Sequence, residues 1–326
     1  MSSLPRRGRG GEGEAVLLPE FPPLPTSPLR GEKVPGFRMK EIILNADDFG
    51  LSAGANRGII KAWQEGMLTS TSLMVGGDAF EEAAAFARAN PALQVGLHLT
   101  LVQGSAVLEQ GGLPALTDAA GEFTDDPVLA GMRYFFLKGL RKKLRLEIDA
   151  QLARCRDAGV ELSHVDGHLN IHMHPVVFDI LCELMPGYGI KSFRLTRENL
   201  PANLALDKTR LVGKCADAFI FARLADRCRP RLERLGIGYA REVKGLLSSG
   251  HMTEAYLLQA LDGVGEGLTE IYFHPGCHPC TTLKRRMPDY QHEAELAALT
   301  SPRVREKLAA GGIRLRNYRG EEKTYV

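Results

Sequence analysis

Short apolar runs alternate along the chain with longer stretches in helical spacing. Ile42-Ile43-Leu44 breaks abruptly into Asn45-Ala46-Asp47-Asp48, the signature of a buried parallel strand ending in a polar loop. The pattern predicts a helix over 52–66, a strand over 70–75, an Ala-rich helix over 79–89 stopped before Pro91, and a strand over 94–99. A Gly- and Pro-bearing loop over 103–127 follows, then helical patterning from about 129 to 158 and a strand over 162–165. Further strand candidates lie at 192–195, 238–240 and 269–273, with helices between them. Strands alternating with helices imply a parallel sheet with right-handed crossovers. About seven such units fit an α/β fold closed as an irregular (β/α) barrel better than an open sheet.

Residues 1–38 differ in kind. Arg6-Arg7-Gly8-Arg9-Gly10-Gly11 and six prolines from Pro19 to Pro35 suit neither a helix nor a central strand. The expectation is a flexible Gly/Pro/Arg-rich extension ahead of one domain spanning 39–326.

Composition narrows the class. A chain of 326 residues with 44% hydrophobic and 25% charged residues is ordinary globular material. Its net charge of +2 gives no support for bulk nucleic-acid binding. No apolar run reaches membrane-spanning length, and the N-terminus lacks the apolar core of a secretory signal. Six cysteines, four of them scattered (Cys155, Cys182, Cys215, Cys228), fit reduced thiols in a cytoplasmic protein better than a disulfide framework.

The chemistry concentrates in a few places. His164, Asp166, His168, His172 and His174 fall within eleven residues of a chain that has nine histidines. Imidazole is the commonest side-chain metal ligand and carboxylates orient or join it, so a metal centre is expected here. His164, Asp166 and His168 share a face if the segment stays extended. Pro175 then opens a helix. Asp47 and Asp48 end the first strand, His98 lies near the end of the third, and His274 follows a late strand in Phe273-His274-Pro275-Gly276. In (β/α) barrels the strand C-termini converge on one mouth, which would bring these residues together. Of adjacent carboxylates, one can bind a metal while the other takes a proton from water. Cys277-His278-Pro279-Cys280 offers a rival structural zinc site but lacks an obvious second cysteine pair. The stretch from Arg133 to Leu146 is at once aromatic, apolar and basic. Its simpler reading is an amphipathic helix with a solvated basic face; its alternative is a surface for anionic membrane or lipid substrate.

Taken together, Asn45-Ala46-Asp47-Asp48-Phe49-Gly50-Leu51-Ser52, Gly96-Leu97-His98-Leu99, His164-Val165-Asp166-Gly167-His168 with His172, and Phe273-His274-Pro275-Gly276 resemble the YdjC-like carbohydrate deacetylases. The resemblance runs from about residue 40 to the C-terminus, with the four motifs in the family's order. Within the family, the stretch from Gly96 to Gly104 and the tail are most similar to the hopanoid biosynthesis-associated HpnK branch. The resemblance implies a NodB-like barrel that hydrolyses the N-acetyl group of an amino sugar. It implies Asp48, His98 and His168 as metal ligands, Asp47 as general base and His274 as general acid. His164, Asp166 and His172 then support the ligands from behind or touch substrate.

The implied cofactor is one divalent ion, Mg2+ or Zn2+; two histidines and a carboxylate suit zinc better than magnesium. The implied substrate is N-acetylglucosaminyl hopanoid, with soluble chitooligosaccharides, or metal binding without turnover, as alternatives. A glycolipid substrate would place a cytoplasmic protein at the periphery of the inner membrane. A homo-oligomer is compatible with the sequence. Leu169-Asn170 departs from the family, where many members have histidine-rich sequence at that point.

Overall fold

The computed structural model describes residues 39–108 and 115–324. The expectation for the N-terminal extension lies outside them.

Eight strands are present among the described residues: β1 (Lys40–Phe49), β2 (Ser70–Leu73), β3 (Gln94–Leu99), β4 (Leu162–Gly167), β5 (Ser192–Phe193), β6 (Glu242–Lys244), β7 (Gly267–Phe273) and β8 (Ile313–Leu315). They form one sheet in the order β5-β4-β3-β2-β1-β7-β6, with β8 paired to the start of β1. Every pairing is parallel. The two ends of this path also meet. Phe193 N–H donates to Gly238 O (2.9 Å), Gly238 N–H to Lys191 O (2.8 Å) and Val243 N–H to Arg197 O (3.0 Å). The sheet thus curls into the expected irregular barrel, closed on one side by scattered bonds instead of a full ladder.

The central strand explains the shape. From Ile42 to Phe49 every residue of β1 is buried, because the strand has neighbours on both edges and packed side chains on both faces. Helix Ala53–Gln64 starts immediately after it, its first turn capped by Ser52 Oγ, which accepts from Ala55 N–H at 3.3 Å. That tight strand-to-helix turn leaves Asp47 and Asp48 at the barrel mouth.

Three expectations need correcting. The helical stretch 129–158 is two helices, Pro127–Phe136 and Leu140–Asp157, because Leu137 leaves helical geometry and Gly139 starts the second. The strand expected at 238–240 is a single bridge at Gly238; the paired strand is β6, four residues later. β8 was not expected, since three residues carry too little alternation to read.

Candidate metal centre

Four strands of the sheet bring the chemistry together. β1 supplies Asp47 and Asp48, β3 His98, β4 His164 and Asp166, and His168 opens the 3-10 turn directly after β4. His274 follows β7 on the other side of β1. All of them are buried.

Asp48 sits at φ 67°, a left-handed conformation that few residues other than glycine adopt. Strained backbone of this kind persists where the surroundings over-determine it, often at functional sites. Here it turns the carboxylate toward two imidazoles. Asp48 Oδ1 lies 3.4 Å from His98 Nε2 and 3.2 Å from His168 Nδ1. Neither Asp48 oxygen has a hydrogen-bond partner of good geometry, nor does His168 Nε2. Buried polar atoms are rarely left so unless something else binds them. Asp48, His98 and His168 each present a ligand atom within 4.8 Å of the others. Two imidazoles and one carboxylate are a suitable donor set for a divalent cation.

A second trio, Asp47, His98 and Asp166, meets the same distance test. It is the poorer candidate, because a guanidinium already occupies its carboxylates. Arg194, the residue after β5, donates to Asp47 through both terminal nitrogens at 2.7 Å each. It also lies 2.7 Å from Asp166 Oδ2 and donates to Glu270 Oε1 at 2.6 Å.

The ring of His98 is fixed from behind. Its Nδ1 lies 2.7 Å from Asp166 Oδ1, which leaves Nε2 facing Asp48. Asp166 is itself held by the Ser72 hydroxyl of β2, which donates to Oδ2 at 2.6 Å. A carboxylate behind a ligating histidine sets its tautomer and raises its basicity. Burial opposes a charge on His98, but Asp166 and Asp47 outweigh it and push the imidazole up to about 10. Burial likewise opposes the charge on Asp48, yet His168 and His98 hold that carboxyl well below the usual carboxylate range.

The remaining histidines of the cluster belong to neither trio and make other contacts. His164 stacks on Tyr318 with ring centroids 3.6 Å apart and contacts Ser72 Oγ at 3.2 Å. Its side chain shares a face of β4 with Asp166, but His168 lies beyond the strand end, where the chain leaves extended geometry. His172 Nε2 contacts Arg194 O at 2.9 Å, and His174 Nε2 contacts Gly131 O at 3.1 Å. His274 faces Tyr290 with ring centroids 5.0 Å apart, and its Nδ1 has no partner. Burial pushes it down to about 4. Glu295 holds its backbone, accepting from His274 N–H (2.5 Å) and Met252 N–H (2.9 Å).

A cavity of about 870 Å3 opens over the centre, with Asp47, His98, His168 and His274 among its lining. Val128, Met132, Phe135 and Phe136 line it from one helix, and Ile220, Phe221 and Leu224 from helix Leu211–Leu235. A larger open cleft of about 1300 Å3, between Arg197 and Arg241, contains none of the centre's residues. Among the described residues Cys277 and Cys280 join no group of three metal-capable ligands.

Arg194, Glu270, Ser72 and Glu295 were not singled out from sequence. The usable signal was a lone charge inside an apolar strand, as in Ser192-Phe193-Arg194-Leu195 and Thr269-Glu270-Ile271-Tyr272-Phe273. A charge placed there must find a buried partner.

Fold and site together define a parallel-stranded (β/α) barrel with a His/Asp centre at the strand C-termini. The family model described as YdjC-like protein matches residues 41–310, and the chain belongs to that family. A Geobacillus stearothermophilus protein named carbohydrate deacetylase is 30% identical over 279 residues, 85% of this chain and 96% of its own. An Enterobacter sp. (strain 638) protein named chitooligosaccharide deacetylase is 30% identical over 283 residues, 86% and 98% of the two chains. A Brevibacillus brevis carbohydrate deacetylase is 39% identical over 150 residues, which span 46% of this chain and 57% of that one. Among solved structures, a proposed cellobiose-phosphate cleavage protein of Enterococcus faecalis V583 superposes with a TM-score of 0.68 at 27% identity, covering 86% of this chain and 98% of its own.

Proposed function

We propose that residues 39–326 form one domain that hydrolyses the N-acetyl group of an acetylated amino sugar and releases acetate. The observation that carries this is the buried Asp48–His98–His168 trio, in which the Asp48 oxygens and His168 Nε2 have no partner, beside a cavity lined by His98, His168, Asp47 and His274. The deacetylase names of the relatives matched along nearly their whole length supply the reaction class.

Asp48, His98 and His168 would hold a divalent ion, Zn2+ fitting this donor set better than Mg2+. The chemistry such an ion supplies when bound is Lewis acidity toward a carbonyl oxygen and a lowered pKa for water. Asp47 is the proton acceptor. A carboxylate has about four lone-pair sites. Asn45 and the two Arg194 nitrogens use three on Asp47, which orients the group and leaves one for water. His274 delivers a proton to the leaving amine. Neutral at rest, it has to take up a proton within the cycle, and the one that Asp47 removes from water balances the one delivered to the amine. Asp166 holds His98, while His164 and His172 support β4 and Arg194.

The substrate we favour carries its N-acetylglucosamine on a hopanoid lipid. The apolar wall of Val128, Met132, Phe135 and Phe136 beside a polar floor supports this over a purely soluble sugar. The reading is tested by acetate release from N-acetylglucosaminyl hopanoid and from diacetylchitobiose, each with and without chelator. Chelator-sensitive release from the lipid alone supports it. Release from diacetylchitobiose alone moves the substrate to soluble chitooligosaccharides, and release from neither overturns the deacetylase assignment.

A further inference from the structure

We propose that the rim of this cavity docks on an anionic lipid bilayer. The docking surface stands on its own observations; its use, to admit a lipid-borne sugar, rests on the function proposed above.

Helix Pro127–Phe136 has a marked apolar character, yet among its residues only Ala130 and Tyr134 are buried. Val128 is 68% exposed, Met132 55%, Phe135 53% and Phe136 68%. These four side chains line the cavity mouth, and the Phe135 and Phe136 rings touch edge to face at 5.1 Å. Across the opening Ile220 is 50% exposed, and Leu169, next to the ligand candidate His168, is 38% exposed. An ordinary amphipathic helix would turn this side inward. A grouped apolar surface at the mouth of a site marks an interaction face.

Charge identifies what meets it. From Pro127 to Leu146 there are six basic residues, Arg133, Lys138, Arg141, Lys142, Lys143 and Arg145, and no acidic one, in a chain whose whole net charge is +2. The next acid, Glu147, is fully buried. Glu183 engages Arg141 and Arg145 at 3.0 and 2.6 Å, while Lys138 and Lys142 are exposed. Asp126, at the opposite end of the apolar helix, is used as its N-cap. Exposed aromatic and aliphatic side chains bordered by lysines are the composition that settles into the headgroup layer of an anionic membrane. No described helix is long and apolar enough to cross a membrane, so the contact is a surface one. The same apolar side chains would then continue from bilayer to site.

The test is co-sedimentation of the full chain with phosphatidylcholine vesicles, with and without phosphatidylglycerol, in the absence of substrate. Binding is expected only to the anionic vesicles and weakens with salt. Lys138→Gln and Lys142→Gln should each reduce partitioning about 5-fold, and Phe136→Ser should nearly abolish it. Unchanged circular dichroism shows that the variants fold. No binding to anionic vesicles, or binding indifferent to all three substitutions, overturns the proposal. A dimer in light scattering that Phe136→Ser dissolves assigns the face to a second copy and overturns it too. Turnover of a soluble acetylated sugar, measured separately, reports on the catalytic reading alone.

Discussion

Asp166 and His98 form a pair at 2.7 Å, from Oδ1 to Nδ1, and that contact aims the other ring nitrogen at Asp48. The two residues sit opposite each other in the β3–β4 register, so sheet pairing itself sets the contact. A ligand candidate is thereby prepared by its neighbour strand before any ion arrives.

Asp166→Asn should weaken divalent-ion binding by about 10–100-fold, since it removes the charge behind the ring and keeps the shape. Isothermal titration of the metal-free protein with Zn2+ measures this. Unchanged affinity would show that Asp166 serves only Arg194.

Arg194→Met should destabilise the fold by about 3–5 kcal/mol, because Asp47, Asp166 and Glu270 would then share a buried site without the guanidinium that pairs with all three. The urea midpoint reads the loss. Arg194→Lys should recover only part of it, since an ammonium cannot reproduce the paired contacts to Asp47.

Asp47→Asn should leave ion binding near its native strength and remove most turnover. The isosteric amide still meets Asn45 and Arg194 only in part, and it has no basic lone pair for water. Acetate release measured beside metal content separates the two effects, and near-normal turnover would sink the role of Asp47 as base.

Gly96→Ala should cost about 1–3 kcal/mol. A Cβ on Gly96 would stand 2.4 Å from the His164 ring, which Tyr318 clamps by stacking from 3.6 Å. The glycine is required for space and not for an unusual φ. Thermal unfolding of the variant checks it, with His164→Ala as the background that should relieve the clash.

Stability of the metal-free chain should change little between about pH 6.5 and 4.5 and fall steeply below. Burial pushes His172 and His274 down to about 4 and His164 to about 3, so the unfolded chain takes up more protons below 6.5 and each histidine removes stability as pH falls. Burial acts oppositely on carboxyls, raising Glu295 to about 7 and Glu270 to about 6 and lifting Glu147 and Glu198; their penalty is relieved as pH falls toward 4.5. Below 4.5 that relief is complete and only the losses remain, joined by the depressed Asp48 and Asp166. Urea midpoints across this range in chelator test the shape, and a monotonic decline starting at 6.5 would contradict it.

The chain's local pattern determined the parallel α/β class and most element positions, because buried strands and their capped helices are written in short-range hydrophobic order. It also pointed to three residues that the structure brings together as a candidate ion site. Asp48, His98 and His168 each stand at a strand end, and barrel strands bring their ends to one mouth. Only the tertiary structure decided which residues of the histidine cluster face the ion site. His164 and His172 are as prominent in sequence as His168, but His164 sits two residues earlier on the face it shares with Asp166, against Tyr318, and the turn after β4 sends His172 to the Arg194 carbonyl. It also decided the role of Arg194, whose three carboxylate partners lie on β1, β4 and β7, far apart along the chain. And it decided that the aromatic helix exposes its apolar side. Periodicity shows that a helix has an apolar face, but what that face meets depends on where neighbouring elements stop.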